Sequence, residues 1–529
     1  MKHLLTATAL SALMALSTPV MAETPDDQLI VAFTMTNVLS MDPAAITGGE
    51  AVQILNNLYD ALVELDPKTG ALSPRLATSW KVSDDNMSVT FTLRPGATFA
   101  SGNPITAQDV KFSYDRLMTL GQAQSSNLAS RGFTAEAIDT QFVVVDDMTF
   151  QLNLPQADDP KLILMYLSQA GVGSILDSKL VQDNAGDDMG QQFLTNNSAG
   201  SGAFTLGQWR ANEYVILTRN DAFWGDAPAM KRVLMRHLPE SQSQRLGLAQ
   251  GDLDVGFSLA APDLRALEED KNITVETVPS NGFYYLAASV GDEKFANPKV
   301  REALRYLIDY DGINGAIMPF FGVKRQGVIN SRAFGAMDDP GYALDVEKAK
   351  ALLAEAGYPD GFDTTLRVIS TQEFLDSATA IQGTLAQAGI NAEIITGDGG
   401  QIYGAMRDRQ FELLVGRGGG GQQPHPDSNL RAMVYNPDNS QEAGLTNFQS
   451  WRTSYQDEEL NTAIEAALVE RDDAMQAQQY KSIQQMIDTK VTAIQPFSER
   501  VVTAAYQADV SGVMIDPWVS RFEDVVKTR

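Results

Sequence analysis

Few residues in this 529-residue chain could carry covalent or metal chemistry. It holds three histidines, His3, His237 and His425, and no cysteine. Without cysteine, thiol catalysis and thiolate–zinc sites are excluded. A Ser-His-Asp nucleophile would need a histidine and a turn to present the serine, and no Gly-x-Ser-x-Gly elbow occurs. His237 lies in the alternating run 233–238 and reads as a structural strand residue. No histidine has another at metal-ligand spacing. The acidic pairs Asp84-Asp85, Asp146-Asp147 and Asp187-Asp188 read as turns rather than calcium ligands. The run 416–422 (GRGGGGQ) invites a phosphate-loop reading, but no Lys-Ser/Thr follows, and Pro424 and Pro426 block an immediate helix. Residues 411–415 read instead as a buried strand whose glycine-rich exit loop can approach another surface closely. These residues imply no catalytic group, no metal site and no cofactor: the chain does not read as an enzyme.

The bulk properties narrow the partners. A formal charge of −27 repels nucleic acid and anionic lipid, so neither is a partner. The length exceeds what one hydrophobic core serves and predicts two or three lobes. Lys2 and His3, the apolar run 4–16 and Val20-Met21-Ala22 read as a cleavable secretory leader over residues 1–22, with Glu23 first in the mature chain. The apolar run is too short to span a bilayer, and no later segment has the length and apolarity to do so. The missing cysteine also removes the usual lipid attachment point. The expectation is therefore a free periplasmic protein with no membrane insertion.

The elements follow from periodicity. Val89, Phe91 and Leu93 alternate with Thr90 and Thr92, giving a strand with one apolar face after the turn at Ser83-Asp84-Asp85-Asn86. Arg94-Pro95-Gly96 stops it. Thr106 and Asp109 then form a capping box before Val110, Tyr114 and Leu117. Residues 142–154 read as a second hairpin, so this part is an α+β lobe with an antiparallel sheet. Further on, 214–218 and 253–257 read as strands and 241–250 as a helix. Asn297 and Asp345 cap two helices, and Gly357 ends the second. Strand 365–369, helix 378–388 and strand 392–395 give an α/β succession. Residues 456–490 read as largely helical and 493–510 as strand.

The landmarks of 58–116 in their order, with 200–204 (GSGAF), 220–225 (NDAFWG), 251–254 (GDLD), 297–309 and 345–358 (DVEKAKALLAEAGY), cover nearly the whole mature chain. Together they resemble the family 5 extracellular solute-binding proteins of peptide, nickel and opine ABC importers. The resemblance implies an α/β (mixed α+β) fold of the two-lobed periplasmic binding protein type, in its large three-domain form. Domain I would be discontinuous, at 23–56, 200–282 and 497–529, with domain II at 57–199 and domain III at 283–496. The chain would cross between the clasping lobes near 277–283 and 493–497, the expected hinges. It also implies a monomeric receptor that captures a peptide-like or other small organic solute by lobe closure. An inner-membrane ABC permease with its ATPase would take delivery. A secreted hydrolase on this chain would lack its nucleophile. A sensory binding module on the same scaffold is the other alternative.

Ligand-binding candidates come from the resemblance, which places the loop after residue 415 at the cleft. Arg417 offers a guanidinium suited to a carboxylate, a phosphate or a hydroxyl-rich ligand, or else to a protein carboxylate. The peptide-binding branch has an acidic residue in this loop for the α-amino group, where this chain has Gln422 or Gln423; the nearest carboxylate is Asp427. The dipeptide binder's carboxylate-binding arginine lies in the segment before the loop, and residues 368–406 contain no Lys or Arg. The nickel branch has a histidine after the loop proline, whereas His425 precedes Pro426. An opine, a modified amino acid, an oligosaccharide, an osmolyte or chelated nickel therefore fits the pattern as well as a peptide. Tyr284 alone, or Phe283 with Tyr285, faces the cleft from the hinge strand, because alternate side chains point to opposite faces. Trp451 and the segment 37–41, led by Asn37, complete the candidate set.

Overall fold

The computed structural model describes residues 24–66, 68–420, 423–516 and 520–529. The expected leader, Glu23 and Gln422 lie outside the described residues. The opening landmarks build a four-stranded antiparallel sheet in the order Ala77–Val82, Ser88–Leu93, Thr149–Asn153, Phe142–Asp146. Period-two patterning does what it predicts: Val89, Phe91 and Leu93 are buried, while Thr92 is exposed. Phe91 lies opposite Phe150 in the ladder. The Ala107–Leu120 helix lays Tyr114 on this sheet, its ring 5.3 Å from Phe142 and 5.9 Å from Phe150. Each such aromatic pair is worth about 1 kcal/mol beyond its area. Asp109 accepts from the Thr106 N–H at 2.9 Å, closing the helix start, and Gly121 ends the helix at φ 60°.

The rest is organised by one mixed 11-stranded sheet. Its path runs Ile390–Gly397, Phe362–Ile369, Leu413–Gly418, Ile273–Ala288, Ile494–Gln507, Val255–Gly256, Gln28–Phe33, Arg232–His237, Tyr214–Arg219, Phe204–Arg210, with Gly322–Lys324 paired off this path to Ile494–Gln507. The first three strands pair in parallel, flanked by helices such as Val346–Glu355 and Gln372–Gln387. At the other end, Gln28–Phe33 is parallel to both of its neighbours. Between the two ends, Ile273–Ala288 and Ile494–Gln507 form one long antiparallel ribbon.

Three expectations shift. The ribbon runs on through both expected crossings, and its register slips between Pro279 and Phe283. Gly282 sits in that slip at φ 99°, where an added Cβ would lie 3.1 Å from the Gly418 carbonyl oxygen. Second, the helix expected from 378 begins at Gln372, because Thr371 starts the turn that buries Phe374. Third, the strand expected over 411–415 is Leu413–Gly418, so Gly416 and Arg417 are strand residues rather than loop. The reason is the neighbouring strand: Gly416 pairs with Tyr285, whose ring would lie 3.0 Å from any Cβ at 416. Only glycine lets the ladder continue there.

Candidate functional site

The long ribbon and the Leu413–Gly418 strand present one continuous face near the slip. Tyr284 stands opposite Arg417 on one side and Ser498 on the other. Alternation from Ser498 brings Arg500 to that same face. The Arg417 guanidinium carbon lies 6.0 Å from the centre of the Tyr284 ring and 5.8 Å from that of Phe374, and the two rings pack at 5.4 Å. Tyr403 fixes the backbone beneath it, accepting from the Arg417 N–H at 2.7 Å and donating to the Arg417 carbonyl at 3.0 Å. Arg417 is exposed and Arg500 half-buried. Among the described residues neither has a carboxylate within ion-pair distance. Burial first, and then the charge of Arg417, holds the Arg500 guanidinium below its usual range. Burial raises the Tyr284 hydroxyl, against the pull of Arg417. Two cations thus share one face around an aromatic floor with only Asp516, beyond ion-pair distance, acting on Arg500, an arrangement that a compact anion would relieve.

The sequence candidates divide. Tyr284 belongs to this face, buried against Phe374 and Phe497. Tyr285 and Phe283 point through the sheet into a separate core with Met406 and Met433, away from the face of Tyr284. Trp451 is likewise core: it is 1% exposed, donates from Nε1 to the Ser440 carbonyl at 2.9 Å and lies under Arg409 at 3.8 Å. Asn37 is exposed and donates to Glu50 at 3.2 Å; no contact joins it to the arginines. Gln423 is buried, and its carbonyl accepts from Asn281 at 2.7 Å. Its Nε2 has no acceptor among the described residues, leaving an orphaned donor beside the ribbon slip.

Asp427 already has protein partners. It is fully buried and accepts from Arg131 at 3.0 Å and Arg431 at 2.9 Å, so its charge is already neutralised by protein. His425 is equally buried. Its Nδ1 accepts from the Asp427 N–H at 3.2 Å, which leaves the proton on Nε2 to be given to Asp159 at 3.0 Å. Both ring nitrogens are engaged, so His425 is not free to ligate nickel. His237 is structural as read, with Nδ1 accepting from the Met35 N–H at 2.9 Å.

Sequence reasoning missed Arg500. The signal is there, since 493–510 reads as strand, but choosing its face requires the register against Tyr284. Arg131 and Asp159 had no local signal at all, because their partners are 296 and 266 residues away.

The family model for bacterial extracellular solute-binding proteins, family 5 Middle, matches residues 71–441. The chain is 27% identical over 534 residues to a probable D,D-dipeptide-binding periplasmic protein of Escherichia coli K12, spanning 97% of this chain and 96% of that one. It is also 27% identical over 477 residues to the dipeptide-binding protein of the same organism, covering 87% of each. Among solved structures, the Helicobacter pylori periplasmic binding protein DppA, in complex with the peptide STSA, superposes with TM-score 0.73 at 25% identity, over 95% of this chain and 98% of that one. HbpA2 from Haemophilus parasuis superposes with TM-score 0.81 at 20% identity, over 95% and 100%, a likeness of fold. No helix among the described residues is long and apolar enough to cross a membrane. With its mixed sheet, its additional four-stranded unit and this match over most of its length, the chain belongs to family 5 of the bacterial extracellular solute-binding proteins.

Proposed function

We propose that this protein is the periplasmic receptor of an ABC importer and that it captures a small organic solute bearing a carboxylate or similar compact anion, seated between Arg417 and Arg500. The observation that carries the reading is the arginine pair itself. In a chain of net charge −27, two guanidiniums share one face with no carboxylate at ion-pair distance among the described residues. Tyr284 and Phe374 supply an aromatic floor, and the orphaned Gln423 amide offers a further donor. Peptides, ending in a carboxylate, are the first class to test, since the two Escherichia coli relatives are named as dipeptide-binding and DppA was solved with a peptide. The lobes close on the solute, and a membrane permease with its ATPase receives it from a monomer.

A second reading has its own support. The only carboxylate in the loop, Asp427, is bound by Arg131 and Arg431, so the loop offers no acceptor for a peptide α-amino group. An anionic solute without an amino terminus, such as an opine, satisfies the arginines equally well.

Native mass spectrometry of the protein as purified would identify any retained solute. Calorimetric titration with D-Ala-D-Ala, L-Ala-L-Ala, glutathione and their C-terminal amides then separates the readings. The proposal expects a free acid to bind and its amide to fail. Equal binding of acid and amide would exclude the arginine pair as the anchor.

A further inference from the structure

The cleft loop is anchored from outside its own lobe. Its far end, 423–427, abuts the unit built on the four-stranded sheet. Asp427 accepts from Arg131, which also reaches Asp158 at 3.4 Å. His425 donates to Asp159 Oδ2, which accepts from Gln476 as well, at 2.7 Å. Asp159 Oδ1 meanwhile caps the Pro160–Leu167 helix through the Lys161 N–H at 2.9 Å. Lys161 crosses to Asp473 at 2.6 Å and lies 5.0 Å above the Phe334 ring, whose edge meets His425 at 5.0 Å. Pro424 presses against Gly70, where a Cβ would approach it to 3.1 Å. Leu468 completes the apolar core of the four-stranded unit from across the same boundary.

We propose that Arg131 and Asp159 are positioning residues for solute capture, through which the four-stranded unit latches the cleft loop when the lobes shut. The chemistry of the contact supports a latch over a permanent weld. His425 and Asp427 are dry because two surfaces meet over them. A buried ion pair repays little more than its desolvation, so when the surfaces part each group recovers water at small net cost. Losing one partner while the surfaces stay together strands a buried charge, so the contact is made as a whole or not at all. That is the behaviour of a two-state element. The loop it holds leaves the Leu413–Gly418 strand that carries Arg417, so a shift at 423–427 is transmitted to the solute face, although neither Arg131 nor Asp159 borders the arginine pair. The latch is independent of which solute binds, so it stands or falls separately from the anion reading.

The absence of native cysteine allows a direct test on the full chain. Spin labels at Val145→Cys in the four-stranded unit and Thr379→Cys on the opposing lobe, both exposed, report the distance between them by pulsed electron resonance. With no solute added, Asp159→Asn and Arg131→Gln should move the distance distribution to longer values, and Arg131→Lys should largely restore it. Melting temperature should change little, since the groups freed when the variants unlatch recover water. The milder Gln476→Ala should shift the same distribution partway, which keeps the test informative if a charge variant folds poorly. An unchanged distance distribution in folded variants would overturn the proposal, because the two units would then be one rigid body.

Discussion

Arg417 and Arg500, on the proposed binding face, place two like charges side by side at a cost in stability. Burial and then the neighbouring charge of Arg417 hold the Arg500 guanidinium below its usual range, with no carboxylate at ion-pair distance among the described residues. Replacing Arg500 with Met should therefore stabilise the unliganded protein, by about 1 kcal/mol, a common trade where function sets the residue. The same substitution should weaken an anionic solute about 10- to 100-fold, the worth of a charge-assisted hydrogen bond. Paired thermal melts and calorimetry check both signs. If affinity and stability fell together, Arg500 would be a structural residue. Arg417→Lys should bind more weakly than wild type, since an ammonium cannot offer the planar fork that a carboxylate fits.

At the scale of elements, the chain relies on a few tight junctions. Asp60 is buried where three separated segments meet, accepting from Arg75 Nε at 2.7 Å, Ser201 Oγ at 2.9 Å and Trp224 Nε1 at 2.8 Å. Burial alone would raise its carboxyl, but Arg75, Arg521 and the Trp224 N–H outweigh it and hold the group below the usual carboxylate value. A depressed carboxylate stabilises the fold at pH above its unfolded value, and that contribution is lost as pH falls through the folded value. Melting temperature should therefore drop on acidification below about pH 4. Asp60→Asn should cost about 3–5 kcal/mol at neutral pH and flatten that part of the profile, measured by denaturant titration. The ribbon slip is a second junction. Gly282→Ala places a side chain at positive φ against the Gly418 carbonyl, and should cost about 1–3 kcal/mol. It should also disturb the Tyr284–Arg417 register, visible as weaker solute binding beyond the stability loss.

For the whole molecule, one sheet shared by both ends of the chain explains how two lobes can move without separating. The ribbon of Ile273–Ala288 with Ile494–Gln507 carries every hydrogen-bonded connection between the two ends of the sheet's path. Motion should therefore concentrate at the slip beside Gly282. Small-angle X-ray scattering with a solute identified by native mass spectrometry should show a smaller radius of gyration than the unliganded protein; an unchanged value would argue against closure. The Arg131→Gln variant should reach the compact form only at higher solute concentration.

Much of this was legible in the sequence because it is local. The alternation at Val89–Leu93, the Thr106–Asp109 box and the caps at Asn297 and Asp345 depend on neighbours within four residues, and the structure contains them all. The order of such landmarks sufficed to assign the family. What the sequence could not determine was which polar groups are already satisfied. Asp427 and His425 look available in a glycine-rich loop until Arg131 and Asp159 arrive from the far side of the fold. Arg417 and Arg500 look like two ordinary cations until strand register sets them on one face with no carboxylate at ion-pair distance among the described residues. Local geometry is encoded over a few residues, whereas electrostatic compensation depends on distance through space, and only the tertiary structure decides that.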